Sequence, residues 1–182
     1  MLLTEVQLFR GAPGTDRRAH ARAAIAEDHL EPDAILFLGS DGRGDDAPAL
    51  RASTRSRPED PRAWLALADA LGQSHPVAKA EREEALRRAA GLDPESCRAW
   101  TSLALLLLDS GRAPEALSAA RRATAIAPWS ARAFDALAAA AMRYGLCDEA
   151  LAAGVRASAL EPEDAGLRRR AEGRRAECMD RR

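Results

Sequence analysis

The chain has 182 residues, 27 basic and 28 acidic, for a formal net charge of −1, and it is 47% hydrophobic but only 4% aromatic. That length suits one domain, and the near-neutral balance argues against a chain devoted to polyanions. No segment approaches the roughly 18 apolar residues needed to cross a bilayer, and the longest strong run is Leu103 to Leu108.

Met1 to Arg10 lacks the basic prelude and continuous apolar stretch of a signal peptide, so a cytoplasmic protein without membrane partners is expected. Asp16 can cap a helix running through Leu30, with Ala19, Ala23, Ala24 and Ile25 inward, before Pro32 halts it. Ile35 to Leu38 is a short apolar piece, Gly39 to Asp46 a loop, and Pro48 to Arg57 helical again. Asp41, Asp45 and Asp46 could offer oxygens to calcium, but their spacing fails the EF-hand pattern, and a solvated turn is the expectation. The same loop is no phosphate cradle, because Gly44 is not followed by Lys and Ser or Thr. Its Arg43, Gly44 and Asp45 spell an adhesion tripeptide that nothing else in the chain supports.

A strict interval then takes over. Pro94, Pro128 and Pro162 are 34 residues apart, and Ala89, Ala123 and Ala157 keep the same step, as do Leu92, Ile126 and Leu160. A period of that length is one helical hairpin, too small to bury its apolar face alone, so successive hairpins must stack. Trp64, Leu67, Ala68 and Leu71 correspond to Trp100, Leu103, Ala104 and Leu107, and to Phe134, Leu137, Ala138 and Ala141, at helical spacing. Gly111 and Gly145 close the first helices, since glycine accepts the left-handed conformation there. Second helices open at Glu115 and Glu149, with Pro114 near a helix start. The first unit departs from the rule. Trp64 to Trp100 exceeds the period by two residues, which places an insertion in the turn Gly72 to Pro76, and Arg82 stands where the other units have Ala116 and Ala150. Ala120 and Gly154 replace a larger apolar residue, so their helices are expected to pack closely.

An aromatic residue, then leucine and a small residue at helical spacing, then a second small residue and a proline: this pattern resembles the tetratricopeptide repeat (TPR) over residues 61–164. The resemblance implies an all-α, right-handed α-solenoid of antiparallel helix hairpins. Its repeats fall at 61–96, 97–130 and 131–164. Residues 1–60 then form either a degenerate repeat acting as a cap or the tail of another domain. Residues 165–182 form a C-terminal solvating helix with Leu167, Ala171 and Cys178 inward. The function implied is a non-catalytic scaffold or adaptor that binds a protein or peptide in the concave groove. The alternative is a regulatory or substrate-recruiting segment of a larger enzyme or assembly.

In that family the first helix of each hairpin lines the groove. Arg62, Arg98 and Arg132 stand two residues before each aromatic marker, Thr101 and Asp135 one after it, and Asp69 and Arg143 further along the same face. Arginine grips planar carboxylates through two parallel hydrogen bonds, so the row either orients an acidic or C-terminal peptide segment or is occupied by neighbouring acids such as Asp69 and Asp135. The lysine and asparagine set of the chaperone-tail-binding members is missing, and that specificity is not carried over. Trp129 is either an exposed binding anchor or, as the Ser130 cap favours, one half of a hydrophobic staple with Phe134. The C-terminal arginines, Arg168 to Arg170 and Arg174 and Arg175 among them, could meet nucleic acid, but a solvated cap face is favoured. His20, His29 and His75 are scattered and no nucleophile motif accompanies them, so no catalytic residue, cofactor, metal or small-molecule substrate is expected. Cys97, Cys147 and Cys178 are odd in number and lack paired spacing, which reads as reduced thiols rather than disulfides or zinc ligands.

Overall fold

The computed structural model describes residues 17–26, 34, 35, 37, 38, 46–72 and 78–180, with no strand among them. The chain divides into two compact units, Met1–Asp93 and Pro94–Arg182. In the first unit α1 (Arg17–Ala26), α2 (Ala47–Ser56), α3 (Pro61–Gly72) and α4 (Lys79–Leu92) pack each upon the next. The second holds α5 (Cys97–Asp109), α6 (Ala113–Ile126), α7 (Ala131–Tyr144), α8 (Cys147–Leu160) and α9 (Ala165–Asp180). There α5 packs on both α6 and α7, α6 on α7, α7 on α8, and α8 on α9.

Among the described residues most buried side chains are alanines, and Ile35, Leu38, Leu50, Leu86 and Leu107 are large apolar side chains fully enclosed. Each such residue contributes roughly 1.5 to 3 kcal/mol against about 0.8 for a methyl group, so a few anchors carry much of the packing energy.

Each second helix ends by one geometry. Arg57, Asp93, Ala127 and Glu161 precede Pro58, Pro94, Pro128 and Pro162, and all four have φ between −126° and −132°. Each donates its backbone N–H to the carbonyl four residues back. The proline ring crowds the residue before it out of the helical region, which is how the 34-residue marker stops each helix. Helix α2, in the irregular region, ends the same way.

The entries are clipped as well. The indole N–H groups of Trp64 and Trp100 donate to the carbonyls of Pro58 and Pro94, at 2.8 and 3.0 Å. Side chains cap each first helix: the Ser96, Ser130 and Asp164 oxygens accept from the N–H three residues on, and Asp60 accepts from the N–H of Arg62. Such caps occupy donors that the helix itself leaves unpaired. At their far ends α5 and α7 close through Gly111 and Gly145 at φ +74° and +92°, with Arg112 and Leu146 donating back to Leu107 and Ala141 at 2.9 Å. In the first unit the Arg82 guanidinium donates to the carbonyl of Ala68 in the last turn of α3. That bond gives a reason for an arginine where the other repeats carry alanine.

Three expectations need correction. In α1 the inward pair is Ala21 and Ile25, one helical turn apart, whereas Ala19 and Ala23 are exposed; the Asp16 cap and the extension to Leu30 lie outside the described residues. Asp46 does not sit in a solvated turn. It is 0% exposed, with Arg18 Nε 3.1 Å from Oδ2 and Arg22 Nε 2.7 Å from Oδ1. Two guanidiniums from α1 take the place of the water it has lost. Cys147 and Cys178 are not both reduced thiols: they form a disulfide, and Cys97 is free. Their 31-residue separation hides the pairing from a search for local motifs, but α9 returns along α8 and brings its last turn to the first residue of that helix.

Gly154 on α8 allows a close approach, since a Cβ placed there would lie 3.5 Å from the Cβ of Ala171 on α9. That is ordinary contact distance, so Gly154→Ala is expected to stabilise the C-terminal unit by about 0.5 to 1 kcal/mol through helix propensity alone. Urea unfolding of the variant checks this, and a loss of stability would show the contact to be tighter than a methyl allows.

Candidate functional site

The amino-terminal turns of α5 and α7 and the turn between α6 and α7 enclose a cleft of about 360 Å³. Cys97, Arg98 and Thr101 line it from α5, and Trp129, Ser130 and Arg132 from the other side, with no carboxylate in the lining. Both arginines are exposed, and Trp129 is 73% exposed. Ser130 does cap α7, but the Trp129 indole stays mostly in solvent, which weighs against the staple. Thr101 is buried, its hydroxyl 3.7 Å from Cys97 Sγ, and it touches the cleft only at its floor.

The other candidate residues lie elsewhere. Arg62 belongs to the first unit and is held by Asp60, Nε to Oδ1 at 3.0 Å and the terminal nitrogen to Oδ2 at 3.0 Å. Burial pushes the Asp60 carboxyl up, but the Arg62 guanidinium and backbone N–H, with Arg57 nearby, hold it below the usual carboxylate value. The arginine row is thus not uniform. In the first repeat the helix cap is an aspartate that neutralises the arginine two residues on, whereas in the next two repeats the cap is an uncharged serine. Asp69 is half-buried on α3 in the first unit. Asp135 is occupied from α9, by Arg170 Nε at 3.0 Å and an Arg174 terminal nitrogen at 2.8 Å. Arg143 lies in a second cleft, beside Met142 on α7 and Arg174 and Glu177 on α9. Among the described residues no three His, Cys, Asp or Glu side chains gather to hold a metal ion, and no helix is long and apolar enough to cross a membrane.

Solved structures share this arrangement. A thermophilic TPR protein of Thermus thermophilus, TTC0263, superposes with a TM-score of 0.68 at 19% identity, over 87% of this chain and 88% of its own. MamA matches at 0.69 and 22% identity, over 91% of this chain and 98% of its own. YrrB, described as a TPR protein with an unusual peptide-binding site, matches at 0.69 and 16%, over 88% and 84%. The fold is the tetratricopeptide repeat. No protein-family model and no curated protein matches the sequence, so the TPR assignment rests on the repeat pattern and on these structures.

In TPR terms the cleft sits between the first helices of two consecutive repeats. Of the eight residues singled out from the sequence, Arg98, Thr101, Trp129 and Arg132 come together there, and Arg62, Asp69, Asp135 and Arg143 do not. Of the four caps seen at these helices, sequence reasoning identified only Ser130. Asp60, Ser96, Ser130 and Asp164 recur near the repeat interval with a shared oxygen acceptor, and that recurrence is the signal that marks the others.

Proposed function

We propose that this TPR protein is a non-catalytic adaptor that holds an acidic segment of a partner protein in the cleft between α5 and α7. The observation that carries the reading is the pairing of two exposed guanidiniums, Arg98 and Arg132, with an exposed Trp129 in one cleft without a carboxylate in its lining. Guanidinium forks suit carboxylates, and a solvent-exposed indole beside them supplies the apolar anchor common at protein interfaces. YrrB, a neighbour in fold, is described as peptide-binding, which supports a peptide over a folded ligand. The compartment proposed is the cytoplasm, where a disulfide such as Cys147–Cys178 is made and broken rather than permanent.

A fluorescein-labelled decapeptide of glutamates and glycines with one central leucine, followed by anisotropy at low salt, tests the reading. Binding is expected to fall by about tenfold or more in Arg98→Glu/Arg132→Glu, and by about tenfold in Trp129→Ala. Equal binding by wild type and the double variant, with both natively helical, would remove the cleft as the site.

A further inference from the structure

We propose that α9 is a redox-latched cover on the α7 face of the last repeat, held closed by the Cys147–Cys178 disulfide and released when that bond is reduced. This inference concerns the C-terminal end of the TPR unit and stands apart from the acidic-peptide reading of the α5–α7 cleft.

The helix buries few side chains of its own. Of its residues only Leu167 and Cys178 are buried, whereas α7 buries eight. Leu167 joins Ala131 and Ala157, with Phe134 and Leu160 at the margin, and so fixes the first turn of α9. The far end depends on Cys178, 2% exposed, bonded to Cys147 at the start of α8. Between them Arg170 and Arg174 reach Asp135 on α7, and Gly154 leaves room for Ala171. The exposed remainder is mostly charged, with Arg168, Arg169, Arg175, Glu172 and Glu177 facing solvent. A helix with two buried apolar side chains, one of them the bonded cysteine itself, loses its main distal attachment when that sulfur is freed.

Closure also hides something. Cys178 Sγ lies 3.4 Å from Met142 Sδ, and Met142 is 5% exposed on the face of α7 that bears Asp135 and Ala139. The α9 side chains Arg174 and Glu177 form one wall of the cleft that contains Leu108, Met142 and Arg143. Lifting the distal half of α9 removes that wall, uncovers Met142 and takes Arg174, one of its two guanidinium partners, away from Asp135. The reaction is a dithiol–disulfide exchange. One thiolate of a dithiol reductant, of the thioredoxin or dithiothreitol class, attacks one sulfur of the bond and forms a mixed disulfide. Its second thiolate then displaces the cysteine. Cys147 and Cys178 leave as two thiols, and the reductant leaves as a disulfide two electrons poorer.

The test uses the full chain carrying Cys97→Ser, which removes the third thiol, oxidised with glutathione disulfide or reduced with dithiothreitol. Amide exchange across residues 172–180 is expected to rise about tenfold or more on reduction, while α5 to α7 keep their protection, which marks a local rather than a global opening. Trypsin cleavage at Arg175 should rise in parallel. Cys147→Ser/Cys178→Ser should behave like the reduced chain with or without dithiothreitol. The reduced wild-type pair gives the answer even where that variant folds poorly. Unchanged protection of α9 on reduction overturns the latch, and so does loss of protection across the whole C-terminal unit, which would make the bond a structural bolt. Full alkylation of both cysteines after treatment with glutathione disulfide overturns it too.

Discussion

Asp46→Ala is expected to destabilise the N-terminal unit by about 3 to 5 kcal/mol, the cost of removing one member of a buried charge cluster. The carboxylate is fully buried, and Arg18, whose side chain is 13% exposed, relies on it together with Arg22. Deleting the acid takes the carboxylate from a guanidinium that water reaches poorly, and that weakened charge pairing rather than the lost volume sets the size of the effect. Asp46→Asn separates the two contributions, because it keeps the shape and removes the charge. It should cost nearly as much as the alanine change. Replacing Arg18, Arg22 and Asp46 together by apolar residues should recover most of the loss. Amide exchange within residues 46–92, read alongside urea unfolding, assigns the change to this unit. A cost under about 1 kcal/mol for Asp46→Ala would show that the cluster is incidental.

Trp100→Ala is expected to cost about 3 kcal/mol in the C-terminal unit, the lower end of the range for emptying an aromatic site, because the ring is only half-buried. Three contributions are lost together. The ring covers apolar surface, its N–H donates to Pro94, and the Arg122 guanidinium lies 4.9 Å from its centroid. Trp100→Phe retains most of the first and some of the third, so it should cost about 1 kcal/mol, the net worth of one hydrogen bond. Phe134 occupies the equivalent position in the next repeat without that bond, which makes the milder variant a native-like solution. Chemical denaturation of both variants measures the pair. Equal losses would assign the whole effect to the hydrogen bond and the cation contact rather than to packing.

The regular part of the fold is legible because each marker acts locally. A proline stops the helix before it, a glycine closes the helix ahead of it, and an aromatic residue at fixed spacing ties the next helix to the turn, so residues 61–164 can be read one repeat at a time. What escapes such reading is long-range. Arg18 and Arg22 meet Asp46 from more than twenty positions away, and no pattern in the loop foretells that its last aspartate is buried. Cys147 finds Cys178 only because two helices run antiparallel with matching lengths. The candidate site is half legible for the same reason. The spacing of Arg62, Arg98 and Arg132 is periodic and visible, whereas the occupation of Arg62 by Asp60, and of Asp135 by Arg170 and Arg174, depends on which neighbours reach them in space.

The helix caps have a consequence of an evolutionary kind. A cap must offer an oxygen to the first turn, and serine and aspartate do so about equally well, so the fold is indifferent to the choice while the charge displayed beside it is not. Asp60 pairs with the arginine two residues on, whereas Ser96 and Ser130 place no charge of their own beside Arg98 and Arg132. One position per repeat therefore acts as a dial, by which duplicated hairpins diverge in what they attract without renegotiating how they stack.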